Sequence, residues 1–174
     1  MTVVCAVSHQ SGHGRVVSML ADTAVCSGDE LQLSAVPKVR RCGGYVYGVA
    51  GDGRACDVAV RWSLPRWPGT DPSAWVVDEL APVVRQRLKD CDERSADLEM
   101  LLGVGGVLLS LDTSLAVTVW PDGYGAIGAG ASVALGALSA TRRWPWRQRL
   151  GEALRAAERH CSASCRGRGR IVTA

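Results

Sequence analysis

The start of the chain constrains the fold most, because short β-forming runs follow one another there with turns between them. Residues 2–7 and 16–22 are rich in valine and other apolar residues, and the polar, glycine-bearing stretch 9–14 separates them. Two such runs around a turn predict an antiparallel β-hairpin. The polar segment 27–30 predicts a turn, and the apolar run 45–50, which follows a glycine pair, predicts another strand.

In the next part of the chain the spacing of apolar residues changes to that of helices. Residues 54–62 predict a helix that ends before Pro65, and Asp71-Pro72-Ser73 predicts the start of a longer helix that Pro82 would kink. The charged stretch 89–97 predicts the end of this helix and a solvated loop. Strands are then predicted at 98–104, 107–111 and 115–120, and helices at 131–141 and 146–160. The order β, α, β, α favours an α+β fold in which helices cover both outer faces of two stacked antiparallel sheets.

Length and composition fit a single globular domain over residues 1–174. The chain is 47% hydrophobic and 21% charged, which is enough apolar material for one sizeable core. A formal net charge of +3 does not by itself indicate a nucleic-acid-binding protein. We find no basic-then-apolar targeting signal and no apolar run near the roughly 18 residues of a spanning helix. We therefore expect a soluble cytoplasmic protein with no nucleic-acid and no membrane partner.

The cysteines do not form a metal-ligand pattern. Seven of them are scattered along the chain, which is typical of reduced thiols in a cytosolic protein. Cys161 and Cys165, beside His160, could form half of a metal site, but the sequence contains no second cluster. We therefore predict no metal ion and no cofactor.

The tail contains the alternating arginines Arg166, Arg168 and Arg170. They could contact phosphates, or they could belong to a solvated loop before a last edge strand at 170–173, where basic residues commonly protect the edge. No aromatic residues alternate with these arginines, which favours the edge strand.

Thr2 is the candidate nucleophile. Once Met1 is removed, which the small side chain of Thr2 permits, the hydroxyl can attack a carbonyl while the free α-amine, with a pKa of roughly 7.7 to 8, accepts the proton. A lysine close to the hydroxyl would favour its ionised form, and a carboxylate would orient that lysine and keep it protonated. We assign these roles to Lys38 and Asp22. The backbone N–H of Gly51 would stabilise the developing oxyanion.

The candidate residues occur in an ordered series of blocks. These are Thr2-Val-Val-Cys-Ala-Val, Met19-Leu-Ala-Asp22-Thr, Val36-Pro-Lys38-Val-Arg-Arg and Gly48-Val-Ala-Gly51. In this order and spacing the chain resembles the proteasome β-subunit family, and within it most closely the bacterial HslV-type peptidases. The resemblance covers nearly the whole chain. It implies the four-layer αββα sandwich of the N-terminal nucleophile (Ntn) hydrolases and the activity of a threonine-type endopeptidase.

A glycine-rich turn carries a further part of the resemblance and its chief departure. The family has Ile-Gly-Ser-Gly where this chain has Ile127-Gly128-Ala129-Gly130, and the family's serine helps to position the threonine amine. That position is Ala129 here. The backbone N–H groups of the turn could still serve the site, so we expect Ala129 to assist Gly51 at the oxyanion. Ser132 could substitute for the missing hydroxyl, or it could be a cap or surface residue.

Family members often carry a late Asp and, three residues on, a Ser that support the threonine. The corresponding positions here are Cys161 and Ser164, so the Asp is missing and Ser164 is a candidate supporting residue. By family position, Val25, Val36 and Val49 would line an apolar pocket for the substrate side chain.

The resemblance also implies partners. Members of the family self-associate into stacked rings of six or seven subunits that enclose the active sites, and an AAA+ ATPase unfoldase commonly supplies the unfolded protein or peptide substrate. Two alternatives remain open. A non-catalytic, proteasome-like structural subunit is favoured by Ala129 and the missing Asp, but it gives no reason to retain Thr2, Asp22, Lys38 and Gly51 together. An Ntn amidase would keep the chemistry but act on a small amide.

Overall fold

The computed structural model describes residues 2–12, 14–27, 30–90, 97–161 and 165–174. In chain order the strands are β1 (Val4–Ser11), β2 (Gly14–Ala21), β3 (Ala24–Ser27), β4 (Glu30–Leu33), β5 (Val39–Cys42), β6 (Tyr45–Gly51), β7 (Leu98–Val104), β8 (Val107–Leu111), β9 (Val117–Val119), β10 (Tyr124–Ile127) and β11 (Val172–Thr173). The helices are α1 (Gly53–Ala59), α2 (Pro72–Trp75), α3 (Ala81–Asp90), α4 (Ala131–Ala140) and α5 (Trp146–His160), and a π-helical turn (Val76–Leu80) joins α2 to α3.

The strands form two main antiparallel sheets and a separate hairpin. The first sheet has the order β10-β1-β2-β11, the second has the order β5-β6-β7-β8-β9, and β3 pairs only with β4. β1 and β2 pair along their whole length, from Val4 opposite Ala21 to Ser11 opposite Gly14, which confirms the predicted N-terminal hairpin.

Alternation along β1 shows that the first sheet is an inner layer. Cys5 and Val7 pack in one apolar cluster with residues of α4 and α5. Val4 and Ala6, which point the other way, pack in a second cluster with Val46 of the second sheet. A strand with apolar residues on both faces needs cover on both sides, because successive side chains alternate between the faces.

The second sheet is the other inner layer, with helices on one face and the first sheet on the other. Tyr45, Tyr47 and Val49 of β6 pack with residues of α1, α2 and α3, whereas Val46 and Ala50 face the first sheet. The layers are therefore helices, sheet, sheet, helices. This confirms the predicted four-layer αββα sandwich.

Two glycines set how closely the sheets approach. A Cβ atom on Gly48 would lie 2.5 Å from Val4 Cγ1, and one on Gly103 would lie 2.5 Å from Val17 Cβ. Side chains at these positions would force the sheets apart, since real Cβ atoms do not come so close to other carbons. The close contact of β6 with β1 brings the end of β6 near the beginning of β1.

Some elements differ from the sequence prediction. β3 pairs with β4 on either side of the predicted turn, and the glycine-rich stretch contains β10; none of these three strands was predicted. The strand predicted at 115–120 is shortened to β9, because the Asp112 carboxylate accepts the N–H groups of Ser114 and Ala116 and closes a turn there.

The long helix passes Pro82 without breaking. Upstream of the proline the backbone widens into the π-helical turn, where the N–H of Ala81 bonds to the carbonyl of Val76, five residues earlier. Proline has no N–H to donate, so a local change of hydrogen-bond spacing accommodates it. The loop predicted at 89–97 lies mostly outside the described residues.

The end of the chain forms the predicted edge strand. β11 pairs with β2 through Val172 opposite Met19 and Thr173 opposite Ser18. Within the described residues no helix is both long and apolar enough to span a bilayer.

Candidate active site

Thr2, Asp22 and Lys38 meet at one end of the first sheet. Thr2 stands just before β1, Asp22 directly follows β2, and Lys38 directly precedes β5. Because the hairpin pairs Val4 with Ala21, the residues immediately beyond that pair lie side by side. Lys38 Nζ lies 2.9 Å from Thr2 Oγ1 and 3.1 Å from Asp22 Oδ1. The structure thus brings the three predicted residues together.

Lys38 links the residues of the site through its hydrogen bonds. Its ammonium donates to Thr2 Oγ1, to the Asp22 carboxylate, and to the carbonyl oxygen of Ala24 at 2.6 Å. A protonated lysine has three N–H donors, and all three have acceptors here. Thr2 Oγ1 therefore accepts from a cation and keeps its own proton free for a base. A positive charge at this distance favours the alkoxide form of the hydroxyl.

Asp22 is the buried anchor of the cluster. Its Oδ1 accepts the backbone N–H of Val3 at 2.9 Å and its Oδ2 accepts the N–H of Ala24 at 3.2 Å. Burial raises the pKa of the Asp22 carboxyl, and the Lys38 ammonium and the two backbone donors act in the opposite direction. The raised pKa has burial as its cause, since the residue is only 1% exposed.

The glycine-rich turn holds the backbone of Thr2. The N–H of Gly130 lies 3.4 Å from the Thr2 carbonyl oxygen. Gly128 has a φ of +87°, and a Cβ on it would overlap that same oxygen, so only glycine fits. Ala129 lies between them, exposed, and its carbonyl accepts the Cys161 thiol at 3.4 Å.

The other residues predicted near this turn lie away from the pocket beside Thr2 or outside the described residues. Ala129 and Ser132 are both exposed, and neither lines the pocket beside Thr2. Ser132 lies in the first turn of α4. Ser164 lies outside the described residues. Cys161, at the position of the family's Asp, contacts the glycine-rich turn through its thiol.

A pocket of about 290 Å³ opens beside Thr2 and Lys38. Val25, Val36 and Val49, the predicted specificity residues, all line it. Four residues from α1 and its end also line it and were not predicted: Gly53, Cys56, Asp57 and Val60. No local signal in the sequence distinguishes the face of α1 that turns toward β6, so these residues could be found only from the structure.

Gly51 forms part of the same pocket wall as Thr2. Its φ is +123°, and a Cβ there would overlap the carbonyl oxygen of Asp97. The next residue, Asp52, donates its N–H to that carbonyl at 2.6 Å and caps α1 with its side chain. Any other residue at 51 would displace the strand end or the pocket wall.

Two thiols near the site, those of Cys56 and Cys165, are held in their neutral form at neutral pH. Burial raises the pKa of Cys56 to about 11 and that of Cys165 to about 12. Neutral thiols are poor nucleophiles and poor metal ligands. Among the described residues there is no group of three or more His, Cys, Asp or Glu side chains that could hold a metal ion.

Two stacked antiparallel sheets between helical layers are the architecture of the Ntn-hydrolase fold. The structure is similar to BPH from Thiobacillus denitrificans in complex with epoxomicin, with a TM-score of 0.74 and 16% identity over 98% of this chain and 96% of that chain. Another structure of the same protein gives a TM-score of 0.73 at 16% identity, with the same coverage of both chains.

The structure is also similar to the eukaryotic HslV from Trypanosoma brucei. The TM-score is 0.74, the identity is 21%, and the match covers 99% of this chain and 98% of that chain. These matches show that the chain has the fold of HslV, as the sequence predicted. No protein-family model matches the sequence, and the comparison with curated proteins gives no significant match.

Proposed function

We propose that this chain is a threonine-type endopeptidase whose nucleophile is Thr2, exposed by removal of Met1. The observation that carries the proposal is the bond of 2.9 Å between Lys38 Nζ and Thr2 Oγ1, made by an ammonium that the buried Asp22 also holds. The HslV fold supports the same reaction class.

In the proposed reaction the Thr2 hydroxyl attacks the peptide carbonyl and its proton passes to the Thr2 α-amine, directly or through a water molecule. The Gly51 N–H stabilises the oxyanion, and the Lys38 charge favours the attacking alkoxide. The C–N bond then breaks, the α-amine returns its proton to the leaving amine, and an ester on Thr2 remains. Water, activated by the same amine, hydrolyses the ester and restores the hydroxyl.

The pocket supports a preference for apolar side chains in the substrate. Three valines contributed by different parts of the chain line it, and its volume of about 290 Å³ suits a side chain of leucine or aromatic size. Asp57, which is exposed and lines the pocket, would repel an acidic side chain.

The fold further supports self-association into stacked rings that enclose the pockets, with an AAA+ ATPase unfoldase as a partner that supplies unfolded protein. Sedimentation velocity tests the first part. A particle of roughly six or seven chains, or twice that number, is the expected result, and a monomer at micromolar concentration would contradict the ring.

A non-catalytic structural subunit is the second candidate. It is favoured by two observations, the exposed Ala129 in place of the family's serine and Cys161 in place of its Asp. An Ntn amidase on a small amide remains a third candidate that the pocket volume permits. Comparison of peptide with small-amide hydrolysis by the assembled protein separates the last candidate from the first.

The deciding experiment is the intact mass of the purified protein before and after incubation with a peptide epoxyketone. This warhead reacts with both the hydroxyl and the α-amine of an N-terminal threonine. We expect a chain without Met1 that gains one probe mass at Thr2, no gain in Thr2→Ala, and full gain in the control Thr118→Ala, whose side chain is exposed on β9. An assembled, Met1-free chain that stays unlabelled would favour the structural subunit.

A further inference from the structure

A carboxylate outside the predicted cluster holds the turn on which Thr2 rests. Glu99, in β7 of the second sheet, accepts the backbone N–H of Gly128 through Oε2 at 2.9 Å. Gly128 directly follows β10, which belongs to the first sheet. The bond therefore joins the two sheets at the end where the active site lies. A hydrogen bond to an ionised acceptor is roughly twice as strong as one between neutral groups.

The turn that Glu99 holds contacts the backbone of the nucleophile. The N–H of Gly130 lies 3.4 Å from the Thr2 carbonyl oxygen, and Gly128 packs so closely on that oxygen that no side chain fits. Any movement of Gly128 would therefore move Thr2 or break this contact, because the packing leaves no free space between them.

The same carboxylate stands next to the proposed oxyanion donor. In the β6 and β7 ladder Glu99 is opposite Ala50, and the next pair is Gly51 opposite Leu98. A Cβ on Gly128 would lie 3.0 Å from Ala50 Cβ, so the turn also packs on the residue before Gly51. One side chain thus links the strand pair that ends at Gly51 to the turn that holds Thr2.

We propose that Glu99 is a positioning residue that sets the distance between the Thr2 nucleophile and the Gly51 N–H. The inference rests on the proposed peptidase function. Attack requires the hydroxyl and the oxyanion donor to lie on opposite sides of one carbonyl, and a displacement of about 1 Å can lower the rate about 100-fold. The first sheet carries Thr2 and the second carries Gly51, so a bond between the sheets controls this distance.

The test measures the rate of labelling by the peptide epoxyketone in Glu99→Ala, in Glu99→Gln and in the control Glu158→Ala, whose side chain is exposed on α5. For Glu99→Ala we expect the maximal labelling rate to fall about 10- to 100-fold, with the half-saturating concentration changed less than twofold. Glu99→Gln should keep most of the rate, because its amide oxygen still accepts the Gly128 N–H. The control should match the wild type.

A structural role alone would give a different result. If Glu99→Ala lowers the unfolding temperature but labels at the wild-type maximal rate, or if only the half-saturating concentration changes, the positioning role is wrong. Equal losses in Glu99→Gln and Glu99→Ala would also contradict it, since the glutamine preserves the acceptor.

A second readout does not depend on catalysis. Amide hydrogen exchange followed by NMR should be faster at Gly128 and Gly130 in Glu99→Ala than in the wild type or in Glu158→Ala. Unchanged exchange at both glycines would overturn the proposal. If the wild type itself takes up no probe, the peptidase assignment fails, and the exchange rates still decide whether Glu99 holds the Thr2 turn.

Discussion

Asp22 holds Lys38 through both carboxylate oxygens, at 3.1 and 3.2 Å, where the carboxylate is fully shielded from solvent. The same carboxylate accepts the N–H of Val3, the residue that follows the proposed nucleophile. One buried side chain therefore fixes both the backbone beside Thr2 and the cation beside its hydroxyl. This coupling explains why the end of a hairpin can present Thr2 in a defined orientation.

Replacement of Lys38 tests whether its charge contributes to the reactivity of Thr2 as well as to the stability of the fold. In Lys38→Met the buried Asp22 loses its partner, so we expect the free energy of unfolding to fall by about 3–5 kcal/mol and the epoxyketone labelling rate to fall about 100-fold or more. The double variant Lys38→Met with Asp22→Asn removes both charges and should recover much of the stability but none of the rate. Urea unfolding and intact mass give the two readouts.

The other lysine of the chain is the matched control for this prediction. Lys89 is exposed near the end of α3, so Lys89→Met should leave both stability and labelling unchanged. If Lys38→Met retains wild-type labelling, Lys38 is a structural charge and the proposed mechanism loses its electrostatic component.

The raised pKa of Asp22 predicts a specific dependence of stability on pH. In the folded chain burial raises this pKa from its ordinary value of 3.8, so the folded state binds the proton more tightly than the unfolded state. Stability from this group is therefore present at low pH and is lost as pH rises through the folded pKa. We expect the unfolding free energy of the wild type, relative to Asp22→Asn, to decrease as pH rises above about 4.

Urea unfolding of the wild type and Asp22→Asn between about pH 4 and 7 measures this difference. An increase of the relative stability with pH would mean that the Lys38 ammonium and the backbone donors outweigh burial, and that the pKa of Asp22 is lowered. Thr118→Ala, an exposed position on β9 where no titratable group is removed, is the control and should show no slope relative to the wild type.

Local patterns in the sequence were sufficient for some elements and insufficient for others. The hairpin of β1 and β2 and the whole of α5 follow from alternation and helical spacing within one stretch. β10 does not, because a short strand in a glycine-rich stretch forms only through pairing with β1, which is remote in the sequence. Residues 27–30 predicted a turn, but the flanking strands β3 and β4 carried too weak a pattern.

The residues of the candidate site also differ in whether the sequence could predict them. Thr2, Asp22 and Lys38 were predicted because their order resembles that of a known family. Thr2 and Asp22 stand at the ends of predicted strands, whereas the strand that begins after Lys38 was not predicted. Glu99 was not predicted, since its function depends on which sheet its strand joins and on a turn that comes later in the chain. An acidic residue within an otherwise apolar strand was the only local signal in the sequence.

The pocket predicts a preference among substrates. Peptides with leucine before the cleaved bond should be hydrolysed at least about tenfold faster than the same peptides with aspartate, because the valines exclude water and the Asp57 carboxylate repels a second negative charge. Val36→Thr keeps the shape of the side chain but adds a hydroxyl. It should therefore lower the ratio of kcat/KM for the leucine peptide to kcat/KM for the aspartate peptide. Equal kcat/KM for both peptides would contradict the assignment of this pocket.

The control for the pocket is a second valine of the same chain. Val119 is 45% exposed on β9, and it is not among the residues that line the pocket beside Thr2. Val119→Thr should leave the ratio of the two kcat/KM values as it is in the wild type. A change in both variants would point to a general effect on folding or assembly.

A single added methyl group on the glycine-rich turn should disable the site. In Gly128→Ala the new Cβ would overlap the Thr2 carbonyl oxygen, and the φ of +87° is unfavourable for alanine. We expect a loss of stability of about 1 kcal/mol or more and a loss of epoxyketone labelling, because the Thr2 backbone must move.

The matched control is Gly136→Ala in α4, where the Cβ meets no atom within 4 Å. That variant should be neutral or slightly stabilising, since alanine favours helix by up to about 1 kcal/mol over glycine. If Gly128→Ala labels at the wild-type rate, the turn tolerates displacement and does not control the position of Thr2.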